Sequence, residues 1–259
     1  MGLLDRLKLP QLQGTETWND AQKTLLHREI ILKKAFLRRI YEDFYGELSA
    51  AIEYTPDKTV VELGSGGGFL KTLMPTVITS DVLELPTVDR VFSACQMPFE
   101  DASVDAIVMV DVLHHIPDVR AFFREARRIL KPGGRIAMIE PGNTLWGRFI
   151  YQHFHHEAFD PTSGWEFQSD GPLSTANGAL PWIVFHRDRQ IFQAEFPTLQ
   201  ILQTRFHTPL RYLVSGGLTL RQLTFDWTYP LFKGLECCLS PLNGLIGMFE
   251  TIVIQKRPD

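Results

Sequence analysis

The residues best placed to do chemistry begin in a glycine-rich stretch, Val60-Val61-Glu62-Leu63-Gly64-Ser65-Gly66-Gly67-Gly68-Phe69. A short apolar run carries a carboxylate near its end and then breaks into glycines, which let backbone approach a ligand closely. A dinucleotide fingerprint would need G-x-G-x-x-G, and here its last position is Phe69. The spacing present is E-x-G-x-G-x-G, through Glu62, Gly64, Gly66 and Gly68. A carboxylate at that point suits a cationic ligand better than a pyrophosphate. The plainer alternative is a tight strand–helix turn.

Other candidates are titratable groups. His114 and His115 follow an apolar run, and Glu140 ends another, at positions where open α/β sheets hold ligands. Each could exchange a proton with a substrate. The histidines could equally orient their loop, and Glu140 could fix the loop after it. His153-Phe154-His155-His156-Glu157 gathers three of the eight histidines. On a helix His153 and His156 share a face and His155 does not. The set is neither H-E-x-x-H nor a Cys/His spacing, so no metal site is expected. His156 is kept as a candidate base or acceptor contact, against a solvated helix end, with Asp160 as a group that could orient one of these rings.

These side chains need elements to position them. Asn19 to Glu53 has helical periodicity, with a break expected near His27–Glu29. Short apolar runs at Thr59–Leu63, Val77–Ser80, Asp89–Phe92, Val104–Val110 and Arg135–Glu140 read as strands. Phe69–Met74 and Pro117–Leu130 read as helices, the second stopping at Lys131-Pro132-Gly133-Gly134. Only Asp81 to Val88 separates the second and third strands, too little for a crossover helix. Beyond Pro141, helices are expected at Thr144–His155 and Leu180–Phe196. Leu199–Phe206 and Met248–Gln255 form an antiparallel pair at the sheet edge. The fold class is therefore α/β: a Rossmann-like, mostly parallel sheet with helices on both faces, an antiparallel last strand and an aromatic-rich C-terminal cap. The organisation expected is an N-terminal helical segment (1–54), a cofactor-binding core (55–141) and acceptor-side helices with the final strands and cap (142–259).

Residues 58–141 resemble a class I S-adenosylmethionine-dependent methyltransferase of the kind with a Leu-His-His stretch after the fourth strand. The matching pieces are VELGSGGG, TSD at Thr79–Asp81, QMPFED at Gln96–Asp101, DVLHHIPD at Asp111–Asp118 and RILKPGG at Arg128–Gly134. The resemblance covers about a third of the chain and implies S-adenosylmethionine as cofactor. It implies that Glu62 faces the methionyl ammonium and sulfonium, and that Gly64, Ser65, Gly66 and Gly68 line the methionine and ribose. Asp81 would accept from the ribose hydroxyls, and Asp111 and Val112 would pass beside the methionine. Ala94 and Cys95, with Gln96, fall where adenine is held. The family often carries an acidic residue just before that point, where this chain has Ser93 and Ala94.

Methyl transfer is an in-line displacement that asks the protein mainly for positioning. A base is needed only if the acceptor must lose a proton, so His114, His115, Glu140 and His156 stay the catalytic candidates. A small-molecule or lipid-like acceptor is expected. Two alternatives remain open: a cofactor-binding regulatory or scaffold protein without transfer activity, and, more distantly, an NAD-dependent oxidoreductase.

The 259 residues carry a net charge of -4, which argues against a nucleic-acid partner. Cys95, Cys237 and Cys238 are too few for a disulfide framework, and the vicinal pair reads as buried small residues. There is no signal-peptide pattern and no transmembrane run, so a cytoplasmic location is expected, with peripheral membrane contact open. Aromatic residues are uneven: 11 fall in residues 1–140 and 18 in 141–259. The stretch His207–Gly247 holds Tyr212, Phe225, Trp227, Tyr229 and Phe232 with few charges. It is either extra core, a cap that walls an acceptor pocket with Trp146, Trp165 and Trp182, or a membrane-facing surface.

Overall fold

Val60, Val61, Val104 and Ala106 to Met109 are all buried, as strands covered on both faces must be. The computed structural model describes residues 7–15, 17–155, 157–168, 171 and 175–258. Its strands are β1 (Val60–Glu62), β2 (Ile78–Asp81), β3 (Arg90–Val91), β4 (Val104–Val110), β5 (Leu130–Pro141), β6 (Leu199–His207) and β7 (Phe249–Lys256). They form one sheet in the order β3-β2-β1-β4-β5-β7-β6. The pairs from β3 across to β5 are parallel, and β7 runs antiparallel to both β5 and β6. The chain direction of winding reverses between β1 and β4, the point where such sheets open a crevice for ligands.

The strands end on a row of carboxylates. Glu62 closes β1, Asp81 closes β2, Asp111 follows β4 and Glu140 lies one residue before the end of β5. The parallel strands therefore deliver four acids to one edge. The Lys131-Pro132-Gly133-Gly134 stop is absorbed into β5 as an irregularity: on β4 the pairing advances from Val104 to Ala106 while β5 advances from Leu130 to Arg135. Gly133 takes φ +81° there, a backbone state that costs glycine nothing.

The N-terminal helix is two helices, α1 (Asp20–Lys33) and α2 (Ala35–Ala51). Asn19 and Gln22 exchange side-chain and backbone hydrogen bonds at the start of α1, a capping box. The break falls at Lys34 and not near His27–Glu29. Its cause is tertiary: the Lys34 ammonium donates to the carbonyls of Gly217 and Leu220, far along the chain. The helix expected at Phe69–Met74 is only a 3-10 turn, Leu70–Thr72, with Pro75 close behind.

Helix α3 (Val119–Ile129) starts on Asp118, whose side chain accepts from the Ala121 amide. Its Phe122, Phe123, Ala126 and Ile129 are buried, and Phe123 meets Phe185, Phe192 and Phe196. Helix α4 (Leu145–Phe154) is capped by Thr144. The segment expected as one helix over Leu180–Phe196 is a turn at Leu180–Trp182, a π-helical turn at Ile183–Arg187, and α5 (Arg189–Glu195). In the excursion between β6 and β7 lie α6 (Arg211–Ser215) and α7 (Tyr229–Leu239). The Arg211 guanidinium ties this excursion to α2, donating to Asp43 and Tyr229 through Nη1 and to Glu236 through Nε. No helix among the described residues is long and apolar enough to cross a membrane.

Candidate active site

The glycine loop is built as a cradle. Gly64 and Gly66 take φ +59° and +35°. A Cβ on Gly64 would come within 2.5 Å of the Val112 side chain, and one on Gly68 within 2.7 Å of the Tyr45 hydroxyl. Only glycine fits at either point. The Gly66 amide donates to Asp81 Oδ2 at 3.0 Å, and the Leu83 amide to Oδ1 at 2.9 Å, so Asp81 anchors the loop while facing the cavity. The Ser65 hydroxyl donates to Glu62 Oε2 at 2.7 Å. The Tyr45 hydroxyl of α2 accepts from the Phe69 amide at 3.1 Å. Arg28 of α1 donates to the Gly68 carbonyl. The two N-terminal helices thus close over the loop.

Glu62 is buried, and among the described residues it makes no ion pair. Burial pushes its carboxyl up to about 7, against the Ser65 hydrogen bond and helped by the Asp81 charge. Burial also raises Asp81, opposed by the amides of Leu83 and Gly66. The nearby Arg28 guanidinium, which donates to the Gly68 carbonyl, offsets part of the Glu62 rise, and the buried Glu62 carboxylate still faces the cavity, where it suits a cationic ligand. The donor set and the cradle therefore fit the methionyl end of S-adenosylmethionine. Ser93, Ala94 and Cys95 line the same cavity, with the Cys95 thiol against the Asp118 carbonyl at 3.5 Å.

The second cluster forms around the loop after β4. Glu140 is fully buried and does not line the cavity. Its Oε1 accepts from the Val112 and Leu113 amides at 2.9 and 2.7 Å, and its Oε2 meets His114 Nδ1 at 2.7 Å. The carboxylate holds the loop and cannot reach a molecule in the cavity, so the geometry corrects Glu140 from base candidate to loop anchor. Asp111 takes φ +55°, an uncommon state for a non-glycine residue, with its amide on the Ile139 carbonyl. Burial pushes the Asp111 carboxyl up to about 7, partly offset by the His114 charge.

Glu157, in the loop after α4, was not singled out as a site residue from the sequence, yet it sits opposite both histidines. His114 Nε2 lies 3.5 Å from Glu157 Oε2, and His115 Nε2 lies 3.7 Å from Glu157 Oε1. Asn177 joins the two loops: its amide donates to the His114 carbonyl at 3.0 Å, and its side chain brackets Asp160 through N–H and C=O. Burial would discharge His114, but its contacts with Glu140 and Glu157 push it up to about 10. Burial and the adjoining His114 charge push His115 down to about 4. Burial resists the Glu157 charge, while the facing histidines hold its carboxyl well below the usual range. His156 lies outside the described residues. Among the described residues the Asp160 carboxylate oxygens accept from Thr162 and Ser163 in its own turn and meet no histidine.

Both clusters open into one cavity of about 700 Å³. That is within the usual range for small-molecule sites. Apolar and aromatic side chains also line it: Tyr41, Tyr151, Phe159, Tyr212, Met248 and Phe249. The tryptophans expected among them are elsewhere. Trp146 donates to the Pro209 carbonyl and Trp165 to Asp188, which also pairs with Arg187. Trp146, Trp165, Trp182, Phe225, Trp227 and Phe232 are absent from the lining. Within the excursion only Tyr212, Leu213 and Gly216 to Leu220 reach the cavity, while Phe225 and Trp227 stack on each other at the surface. Cys237 and Cys238 are exposed, because the buried face of α7 is taken by Tyr229 and Glu236.

Residues 61–138 match a protein-family model described as a methyltransferase domain. They are a class I S-adenosylmethionine-dependent methyltransferase domain. The cofactor of the domain is S-adenosylmethionine. A ubiquinone biosynthesis O-methyltransferase of Paramagnetospirillum magneticum is 28% identical over 139 residues, 46% of this chain and 55% of that one. A ubiquinone/menaquinone biosynthesis C-methyltransferase of Bartonella tribocorum is 36% identical over 89 residues, 33% of this chain and 34% of that one. The chain thus spans about half, or less, of the length of these curated relatives. A solved geranyl diphosphate C-methyltransferase from Streptomyces coelicolor A3(2) aligns with 15% identity over 97% of this chain and 89% of that one, with a TM-score of 0.49. The methyltransferase domain supplies Glu62, the glycines, Asp81 and the histidine loop, while Tyr41, Tyr45, Tyr151, Glu157 and Tyr212 come from outside it. Alternating aromatic and aliphatic residues on a helix read as core, so no sequence signal set Tyr41 and Tyr45 apart.

Proposed function

We propose that this protein transfers the methyl group of S-adenosylmethionine to an apolar, ring-bearing small-molecule or lipid-like acceptor. The observation that carries the reading is one cavity lined both by the carboxylate-and-glycine edge and by tyrosine, phenylalanine and methionine side chains. Bound S-adenosylmethionine would supply a sulfonium-activated methyl group. Glu62 would hold the ammonium and oppose the sulfonium charge, and Asp81 would receive the ribose hydroxyls through the lone pairs its two amide contacts leave free. Gly64, Ser65, Gly66 and Gly68 would admit the methionine and ribose, with Asp111 and Val112 alongside and Ala94 and Cys95 beside the adenine. His114 and His115 line the same cavity, and of the two His115, kept uncharged by burial and the His114 charge, would be the one able to accept a proton from an acceptor. The quinone-pathway names of the relatives support an acceptor of quinol type.

Asp81→Asn is expected to weaken S-adenosylhomocysteine binding roughly tenfold or more, by loss of charge-assisted hydrogen bonds of about 1.5–3 kcal/mol. Calorimetry on the folded variant checks this, and unchanged affinity would take the ribose away from Asp81.

The activity itself is tested with methyl-labelled S-adenosylmethionine and a panel of demethylated, alkyl-substituted quinols. Label in an organic-extractable product is the expected result. Tight binding of S-adenosylhomocysteine with no labelled product from any acceptor would favour a binding protein without transfer activity.

A further inference from the structure

We propose that His114, His115 and Glu157 form a binding site for one divalent first-row transition ion. The side-chain ligand atoms of the three lie within 4.8 Å of one another and line the cavity. The separations of His114 and His115 from Glu157, 3.5 and 3.7 Å, are long for hydrogen bonds, and His155 Nδ1 also lies 3.7 Å from Glu157 Oε2. They match the edge of a coordination shell: two ligands about 2.1 Å from a common ion and near the tetrahedral angle are roughly 3.4 Å apart. The His114 and His115 rings lie 4.3 Å apart and tilted by 39°, and the Nε2 atom of each faces one oxygen of the Glu157 carboxylate.

The surroundings have the features of a metal site beyond the ligands. His114 Nδ1 is engaged by the buried Glu140 carboxylate at 2.7 Å, which fixes the ring and leaves Nε2 for the cavity. That carboxylate–histidine relay is the usual second layer behind a bound metal. An ion would take the place of the Nε2 proton that otherwise bridges to Glu157. Three protein ligands leave coordination positions open toward the 700 Å³ cavity. Two imidazoles and one carboxylate suit a transition ion better than Mg²⁺ or Ca²⁺, which prefer all-oxygen shells. A water or an acceptor oxygen could complete the shell, and an ion there would acidify either. The site does not depend on the acceptor reading and is measurable without methyl transfer.

The test uses chelator-treated full-length protein carrying Cys237→Ser and Cys238→Ser, which removes the exposed thiols as competing ligands. Co²⁺ is titrated and followed by visible absorption, with Zn²⁺ uptake measured by equilibrium dialysis and thermal unfolding recorded with and without Zn²⁺. One equivalent of ion without a thiolate band, and a rise in Tm with Zn²⁺, is the expected result. Glu157→Gln and His115→Ala should each weaken uptake at least 100-fold and abolish the Tm rise. Glu157→Gln keeps the side-chain shape, so a folded variant is available even if the other fails. Uptake below one equivalent at 100-fold excess ion would overturn the proposal. So would uptake that both substitutions leave unchanged, which would place the ion elsewhere, for example at His153 and His155.

Discussion

Glu62→Gln is expected to move stability and affinity in opposite directions. The carboxyl is buried and pushed up to about 7, so the folded protein binds a proton there that the unfolded chain releases near 4.5. Between those values the native state holds more protons than the unfolded state, and stability falls as pH rises. The stabilising contribution of the neutral acid is fully present below about 4.5 and is lost as pH rises through about 7. At pH 8 the ligand-free protein therefore carries an ionised buried carboxylate whose cost is on the order of 3 kcal/mol. Glutamine removes the charge and keeps an oxygen for the Ser65 hydroxyl. Ligand-free Glu62→Gln should unfold at a Tm several degrees higher at pH 8, and the gain should vanish near pH 4. Binding should suffer: losing one partner of a buried charge pair costs about 2–4 kcal/mol, or roughly 30-fold to 1,000-fold in Kd for S-adenosylhomocysteine. Wild-type affinity should also climb with pH through about 7 as the carboxylate forms. A variant that loses both stability and affinity would make Glu62 a structural acid and not a ligand group.

Glu140→Ala is expected to cost about 3–5 kcal/mol of stability. Deleting the carboxylate orphans two amides and the His114 ring in a place water does not reach, and breaking a buried charged network by removing one partner costs that much. Glu140→Gln should lose less than half as much, because its amide oxygen can still accept from Val112 and Leu113 while its NH₂ faces Nδ1. Urea unfolding with a fixed m-value decides the matter. An alanine variant within 1 kcal/mol of wild type would show that the loop after β4 holds itself. The comparison also bears on the ion site, since Glu140→Gln leaves all three proposed ligands in place.

The cofactor half was legible because its demands are local. Tight glycine turns and acids at strand ends are written in short spacings, so Glu62, Gly64, Gly66, Gly68 and Asp81 could be named as cavity-lining residues without a structure. The antiparallel pairing of β6 with β7 was legible too, from two β-like runs at the end of the chain. What failed to show was anything set by distant segments. The α1–α2 break at Lys34 depends on carbonyls at Gly217 and Leu220, and no glycine or proline marks it. Glu157 lies in a polar loop that carries no periodicity and is joined to the His114 loop by Asn177, twenty residues further on. The tryptophans misled for a related reason. Composition reports how much aromatic area a region holds, but Trp165 is spent on Asp188 and the phenylalanine cluster behind α3, not on the cavity.

The cavity walls come from three stretches of chain, and only the middle one, 61–138, falls within the matched family. Helices α1 and α2 supply one of the other two, and residues between 141 and 249 the last. Similarity confined to the middle stretch is therefore informative about the donor and nearly silent about the acceptor. Two proteins could share every residue of that match and accept unrelated molecules. A search for proteins with the same acceptor should weight Tyr41, Tyr151, Glu157, Tyr212 and Phe249, positions that a domain-level comparison leaves unread.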